Sequence, residues 1–248
     1  MNRIVTYFSV GTAAFALLFG FVQKISYATY FAFGCIFITF IGYKIENYIK
    51  TNGNDLLNKI IYFMTKNEKN YNIVHKHSIY TYLGNDTYMF EKKYKIQPRK
   101  NDLDRMNDRF SWSAPSAGYV ASPTESNHKI NKTWQQDSWT CFSIYFNEVC
   151  KKYKTYTAGS KITNLIDATN SAVPFLSNTI DKKTKCITLE VVFPKDEHPQ
   201  KAKFEVFSSD CGENSTFETD LAYDSEIGGF KQIVHYPRKG WKYVISWN

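Results

Sequence analysis

The sequence predicts a two-part protein, a membrane α-helical hairpin followed by an all-β cytosolic domain built as an antiparallel β-sandwich or barrel. Three observations carry this expectation: two apolar runs at residues 4–22 and 27–43, a change to every-second-residue alternation from Tyr71 onward, and the lack of a long helical period among the segments that follow. The predicted divisions are a two-helix transmembrane hairpin over 1–46, a basic amphipathic connector over 47–70 and the β-sandwich or barrel over 71–248.

Each apolar run approaches the roughly 17 to 20 residues that a helix needs to cross hydrocarbon. Lipid offers the backbone no hydrogen-bond partner, so such a run is expected to close its bonds internally as a helix. The break at Gln23, Lys24 and Ser26 is too short for anything but a tight return, which places both chain ends on one side. Arg3, Lys44 and Lys50 flank the runs and Lys24 alone sits in the turn, a bias toward cytoplasmic termini in a multi-pass inner-membrane protein. The competing reading, a signal peptide cut near Ser26-Tyr27-Ala28, is disfavoured by the second run that begins there. Thr12, Ala16 and Gly20 recur every four residues and predict a helix-helix packing face.

Net charge is +8, and its placement matters more than its size. Between Lys44 and Lys100 there are eleven bases against five acids, while residues 101–248 balance. A basic collar that includes Lys44, Lys50, Lys59 and Lys66 fits an anionic lipid surface. Long DNA or RNA would call for a basic face on the folded domain, so that partner class is excluded. The five cysteines show no paired close spacing, which indicates neither a disulfide framework nor a zinc knuckle.

Ile60, Ile61 and Met64 lie at helical spacing, and Asn52 or Asn54 can cap a short helix from Asp55 to about Thr65. His77 to Leu83 and Tyr88 to Ile96 alternate around Gly84-Asn85-Asp86, the pattern of a β-hairpin. Pro98 to Arg109 reads as a polar loop, Phe110-Ser111-Trp112 as a short strand, and 114–132 as mainly loop. Further strands are expected at 138–146, 161–167, 185–193, 202–208, 215–223, 230–236 and 241–247.

His75 and His77 share a strand face and could form a bidentate imidazole pair, but no third ligand is in view, so solvated histidines are the expectation and no metal site is assigned. Arg105, Arg109 and Trp112 are the candidate ligand-binding residues, because guanidinium groups fork onto phosphate while an indole stacks on a base. Nucleophile-elbow, zincin, Walker and dinucleotide-binding glycine motifs are all missing, so no catalytic residue and no cofactor is expected.

The layout of two apolar spans, a basic connector and a β-rich domain resembles the two-transmembrane β-strand-rich effectors of bacterial anti-phage systems that signal through cyclic oligonucleotides, the CBASS and Panoptes type. The residues that carry the likeness are Pro174-Phe175-Leu176-Ser177, Thr179-Ile180, Thr184, Leu189, Val191, Phe193-Pro194 and the closing Tyr243-x-Ile245-x-Trp247. The resemblance implies a non-enzymatic effector. Its β domain would sense a cyclic oligonucleotide and control homo-oligomerisation of helices that disrupt the bilayer. The alternative is a membrane-tethered protein-interaction module with no toxic activity.

Overall fold

The alternation in residues 71–98 produces the longest strand pair among the described residues. β1 (Tyr71–Gly84) and β2 (Thr87–Pro98) are antiparallel, and Asn85 and Asp86 turn the chain between them at φ values of 50° and 54°. Asn and Asp enter this left-handed region more readily than other side chains, which is why the sequence signal for the turn is strong. The computed structural model describes residues 58–112, 118–166, 174–208 and 214–248, all within one compact unit, Asn58–Asn248.

After the hairpin come β3 (Leu103–Phe110), β4 (Val120–Pro123), β5 (Lys129–Gln136), β6 (Trp139–Cys150) and β7 (Tyr156–Ile166). The chain ends with β8 (Phe175–Thr179), β9 (Cys186–Val192), β10 (Ala202–Phe207), β11 (Phe217–Leu221), β12 (Gly229–His235) and β13 (Lys242–Trp247). They form a six-stranded sheet ordered β12-β9-β1-β2-β7-β4, a four-stranded sheet ordered β11-β10-β13-β8 and a three-stranded sheet ordered β3-β6-β5.

Both smaller sheets cover the same face of the large one. Phe90 of β2 meets Phe110 of β3 with ring centroids 5.5 Å apart, and Tyr80 of β1 meets Trp247 of β13 at 5.2 Å. The fully buried Ile187, Leu189, Val191, Ile144 and Ile245 join all three sheets in one core. Burying one such side chain contributes about 1.5–3 kcal/mol. The opposite face of the large sheet is polar: His75 Nε2 lies 2.9 Å from Thr188 Oγ1, and His77 Nε2 lies 3.0 Å from Glu190 Oε2.

A register shift between Ile73 and His75 decides which side chains face inward. Strand side chains alternate between faces, so one extra residue exchanges the parity. Tyr71 and Ile73 before the bulge, and Ser78 and Tyr80 after it, all point into the core, and Lys76 joins them while His75 and His77 point out.

Several expectations are corrected. The predicted fold class, a membrane hairpin on an antiparallel sandwich or barrel, gives way to a three-sheet β fold in which β1 and β9 pair in parallel, Lys76 opposite Ile187 through Thr81 opposite Val192. More than a hundred residues separate these strands, so no tight turn imposes antiparallel pairing. Among the described residues no helix is long and apolar enough to cross a membrane. The predicted spans at 4–22 and 27–43, with Thr12, Ala16, Gly20, Lys44 and Lys50, lie outside the described residues. Apolar length satisfies a sequence criterion but does not by itself place a segment in lipid, and multi-pass inner-membrane placement is set aside.

Helical structure is described over residues 58–64. This helix meets the β unit through polar and aromatic groups: Arg238 Nε donates to Asn58 Oδ1 at 2.7 Å, and the Tyr62 and Tyr236 rings lie 5.3 Å apart. Lys59, expected at a membrane surface, is exposed, and its ammonium lies 5.9 Å from the Tyr236 ring. The polar loop expected at 98–109 is largely strand β3, because Leu103, Met106, Asp108 and Phe110 turn inward while the charges between them face out. The loop expected at 114–132 contains β4 and the start of β5.

Candidate functional site

β3 and β8 are each the last strand of their sheet, and they border a seam whose floor is β1 and β2. A cavity of about 320 Å³ lies in this seam, reached by Lys76, Lys92, Asp108, Arg109, Asp181 and Lys182. A second cavity of about 330 Å³ adjoins it and is lined by aromatic groups that include Tyr80, Phe110 and Trp112. Lys92, Trp139, Ser177 and Thr179 line both. The first chamber is cationic and the second is aromatic.

Asp108 organises the cationic chamber. Its Oδ1 accepts from Lys92 Nζ at 3.2 Å, Tyr94 Oη at 2.9 Å and the Arg109 backbone N–H at 2.8 Å, and its Oδ2 accepts from Ser160 Oγ at 2.8 Å. Burial by itself would raise the Asp108 pKa. The charges of Lys92 and Lys76, with the hydrogen bonds from Ser160 and Arg109, outweigh burial and hold the carboxyl below the ordinary carboxylate value. Lys92 Nζ also donates to the Arg109 carbonyl oxygen. Asp108 therefore ties β3 to both β2 and β7, and its lone pairs are already committed.

The other cations differ in how firmly they are held. Arg109 Nη2 lies 2.8 Å from Asp181 Oδ2, and its guanidinium lies 4.5 Å from the Trp139 ring. Both partners of that ion pair are 40% or more exposed, the regime in which a pair contributes roughly 0–1 kcal/mol. Lys182 Nζ stands 3.9 Å from the Tyr71 ring centroid. Lys76 has no hydrogen bond or salt bridge among the described residues. Its ammonium nitrogen lies 5.9 Å from the Tyr94 ring centroid. Burial, reinforced by the neighbouring positive charges of Lys92 and Arg109 and only partly opposed by Asp108 and Asp181, brings its pKa down to about 7.

The three candidate ligand residues separate. Arg109 lines the cationic chamber and Trp112 the aromatic one. Trp112 stacks at 6.3 Å and 25° on Tyr80, and its buried Nε1 has no hydrogen-bond partner among the described residues. Arg105 lies outside both, 5.5 Å from the Tyr145 ring and 3.7 Å from Asp104. The sequence reading missed Lys76, Lys92, Trp139, Asp181 and Lys182. A signal existed for Lys92, which falls in register with Phe90 and Tyr94 on an apolar stripe where a lysine must be buried and paired or must face a cavity. Among the described residues no group of three or more His, Cys, Asp or Glu is placed to hold a metal.

No family model matches the sequence, and no curated protein matches it. Solved structures with partial similarity include an M1 zinc metallopeptidase from Deinococcus radiodurans, at 8% identity and TM-score 0.39 over 74% of this chain and 44% of that one. A putative protease from Parabacteroides distasonis gives 9% identity and TM-score 0.40 over 71% and 40%. Leukotriene A4 hydrolase from Saccharomyces cerevisiae gives 9% and 0.36 over 72% and 29%. The chain spans less than half the length of these proteins, and likeness at this level carries no argument about function.

Proposed function

We propose that the β unit is a non-catalytic ligand-binding module whose ligand is an anion bearing planar rings, of the cyclic-oligonucleotide class, held in the seam between β3 and β8. The observation that carries this reading is the adjacency of the two chambers: Lys76, without a counterion among the described residues, beside the Arg109 guanidinium on one side of Trp139, and an aromatic lining with the indole N–H of Trp112, unpartnered among the described residues, on the other. A phosphodiester satisfies the first and a nucleobase the second. Arg109 adds a guanidinium that rests on the Trp139 ring and whose one ion pair is exposed, so an incoming phosphate displaces Asp181 at small cost. Asp108 accepts from Lys92, Tyr94, Ser160 and Arg109, which gives it a structural role rather than that of a base.

An anti-phage setting, an effector output and control of homo-oligomerisation rest on the resemblance alone. A second reading, a protein-interaction module, is favoured by one feature: the helix over 58–64 leaves Phe63 68% and Met64 81% exposed. Thermal denaturation of the full chain with a panel of cyclic di- and trinucleotides, and adenosine as an uncharged control, separates the two. A ligand at a hundred times its Kd stabilises by about 2.7 kcal/mol, which should raise the melting temperature by several degrees. No shift with any member would reject the ligand-binding reading and leave the interaction reading.

A further inference from the structure

Two lysines of the cationic chamber, Lys76 and Lys182, have no ion pair among the described residues; Lys182 lies over the Tyr71 ring, and Lys76 faces the Lys92–Asp108 pair. Lys76 enters from β1, opposite Tyr94 of β2 in the antiparallel register and opposite Ile187 of β9 in the parallel one. The charged groups that face it are Lys92 from β2, Asp108 and Arg109 from β3, and Asp181 beyond β8, and Tyr94, Tyr71, Lys182 and the Cys141 thiol of β6 complete the titratable lining. Each acid is already engaged, Asp108 by Lys92 and Asp181 by Arg109. β9 contributes no charge at this level, because Ile187 is the residue opposite.

We propose that Lys76 is a proton-coupled anion subsite: an anion entering the seam binds together with one proton taken from solvent at Lys76 Nζ. This rests on the ligand-binding reading above and adds its regulation. In the empty cavity the ammonium form is held among like charges with no counterion, and burial favours the neutral amine. A phosphodiester beside Nζ supplies the missing counterion and favours the ammonium. The coupling is reciprocal, so proton activity sets ligand affinity as the ligand sets protonation. Because the free amine titrates near pH 7, affinity is at its plateau below that pH. It falls by up to about tenfold per pH unit above it, until the bound form itself loses its proton.

The test is calorimetric titration of the full chain with cyclic di-AMP and, as a ring-free anion, sodium sulfate, from pH 6 to 8.5. Both probes keep constant charge over this range, so any pH dependence belongs to the protein. The expected result is weakening of at least fivefold between pH 6 and 8.5, with net proton uptake seen as a dependence of heat on buffer ionisation enthalpy. Lys76→Arg should bind with little pH dependence and more tightly than wild type at pH 8.5. Lys76→Met should be weak throughout. Binding of either probe with equal affinity across the range and no proton uptake would overturn the inference and leave the cavity reading intact. Failure of both probes at pH 6, where Lys76 is charged, would overturn both.

Discussion

Lys92 Nζ lies 3.2 Å from Asp108 Oδ1, with both side chains less than a tenth exposed, and this contact joins the six-stranded sheet to the three-stranded one. A buried pair need not stabilise a fold in net terms, since desolvation offsets much of the attraction. Breaking it is another matter. Asp108→Asn or Lys92→Met leaves a buried charge without its partner and should cost about 3–5 kcal/mol, measured by urea denaturation. The double variant Lys92→Met/Asp108→Asn should be less destabilised than the sum of the two. Additive losses would show that the pair does not act as a unit.

Acid should weaken the same junction. Asp108 has a folded pKa below its ordinary value, so the stability it contributes is full above the unfolded carboxylate range and is lost as pH falls through the folded value. Glu190 is lowered as well, by its hydrogen bond from His77 and, against the opposing effect of burial, by Lys231. Asp108→Asn should therefore flatten the acid limb of the stability profile below pH 4, read by melting temperature. An unchanged acid limb would remove Asp108 from the account.

On the alkaline side Lys76 gives the opposite trend from a surface lysine. Its folded pKa of about 7 lies below the ordinary lysine value of 10.5, so the unfolded chain binds more protons between the two. Stability of the ligand-free chain should rise from pH 7 to 9 by up to about 1.4 kcal/mol per unit. The window stops short of the tyrosines, whose raised values work against stability above pH 10. Lys76→Met should reduce the rise to the smaller part left by Lys182 and Lys183, whose values burial also lowers, and a flat wild-type profile would contradict the assignment.

Gly159 is fixed by close approach rather than by its backbone angle. A methyl group there would stand 2.2 Å from the Lys92 carbonyl oxygen and 2.5 Å from Thr124 Oγ1. Gly159→Ala should force β7 away from β2 and cost about 1–3 kcal/mol, whereas alanine at Gly118, which meets nothing within 4 Å, should be limited by its φ of +84° alone.

Much of the strand pattern was legible because alternation survives wherever one face of a sheet is buried. The hairpin of β1 and β2 and the terminal strand from Lys242 to Trp247 follow from it directly. β3 was not legible as a strand, since its inward positions include Asp108, a carboxylate that only the three-dimensional partners Lys92, Tyr94 and Ser160 make tolerable inside. The parallel pairing of β1 with β9 joins strands more than a hundred residues apart, beyond the reach of any local signal. For the site, Arg109 and Trp112, named from local chemistry, line the two chambers, but Lys76 was hidden by the bulge at Ile73 and His75, which sets the parity that turns Lys76 inward with Ser78 and Tyr80 and leaves His75 and His77 outward. The cavity itself lies between two sheet edges, and no single stretch of sequence encodes it.

Hydrogen–deuterium exchange of the full chain, with and without the cyclic oligonucleotide that most raises its melting temperature, tests most directly whether the seam is the ligand site. The expected result is slowed exchange confined to residues 76–80, 90–94, 106–112 and 175–182, the segments whose inward side chains line the two chambers, and its loss in Arg109→Ala but not in Arg105→Ala. Protection centred instead on the polar face of β9 and β12, or on the helix over 58–64, would contradict the assignment of the seam.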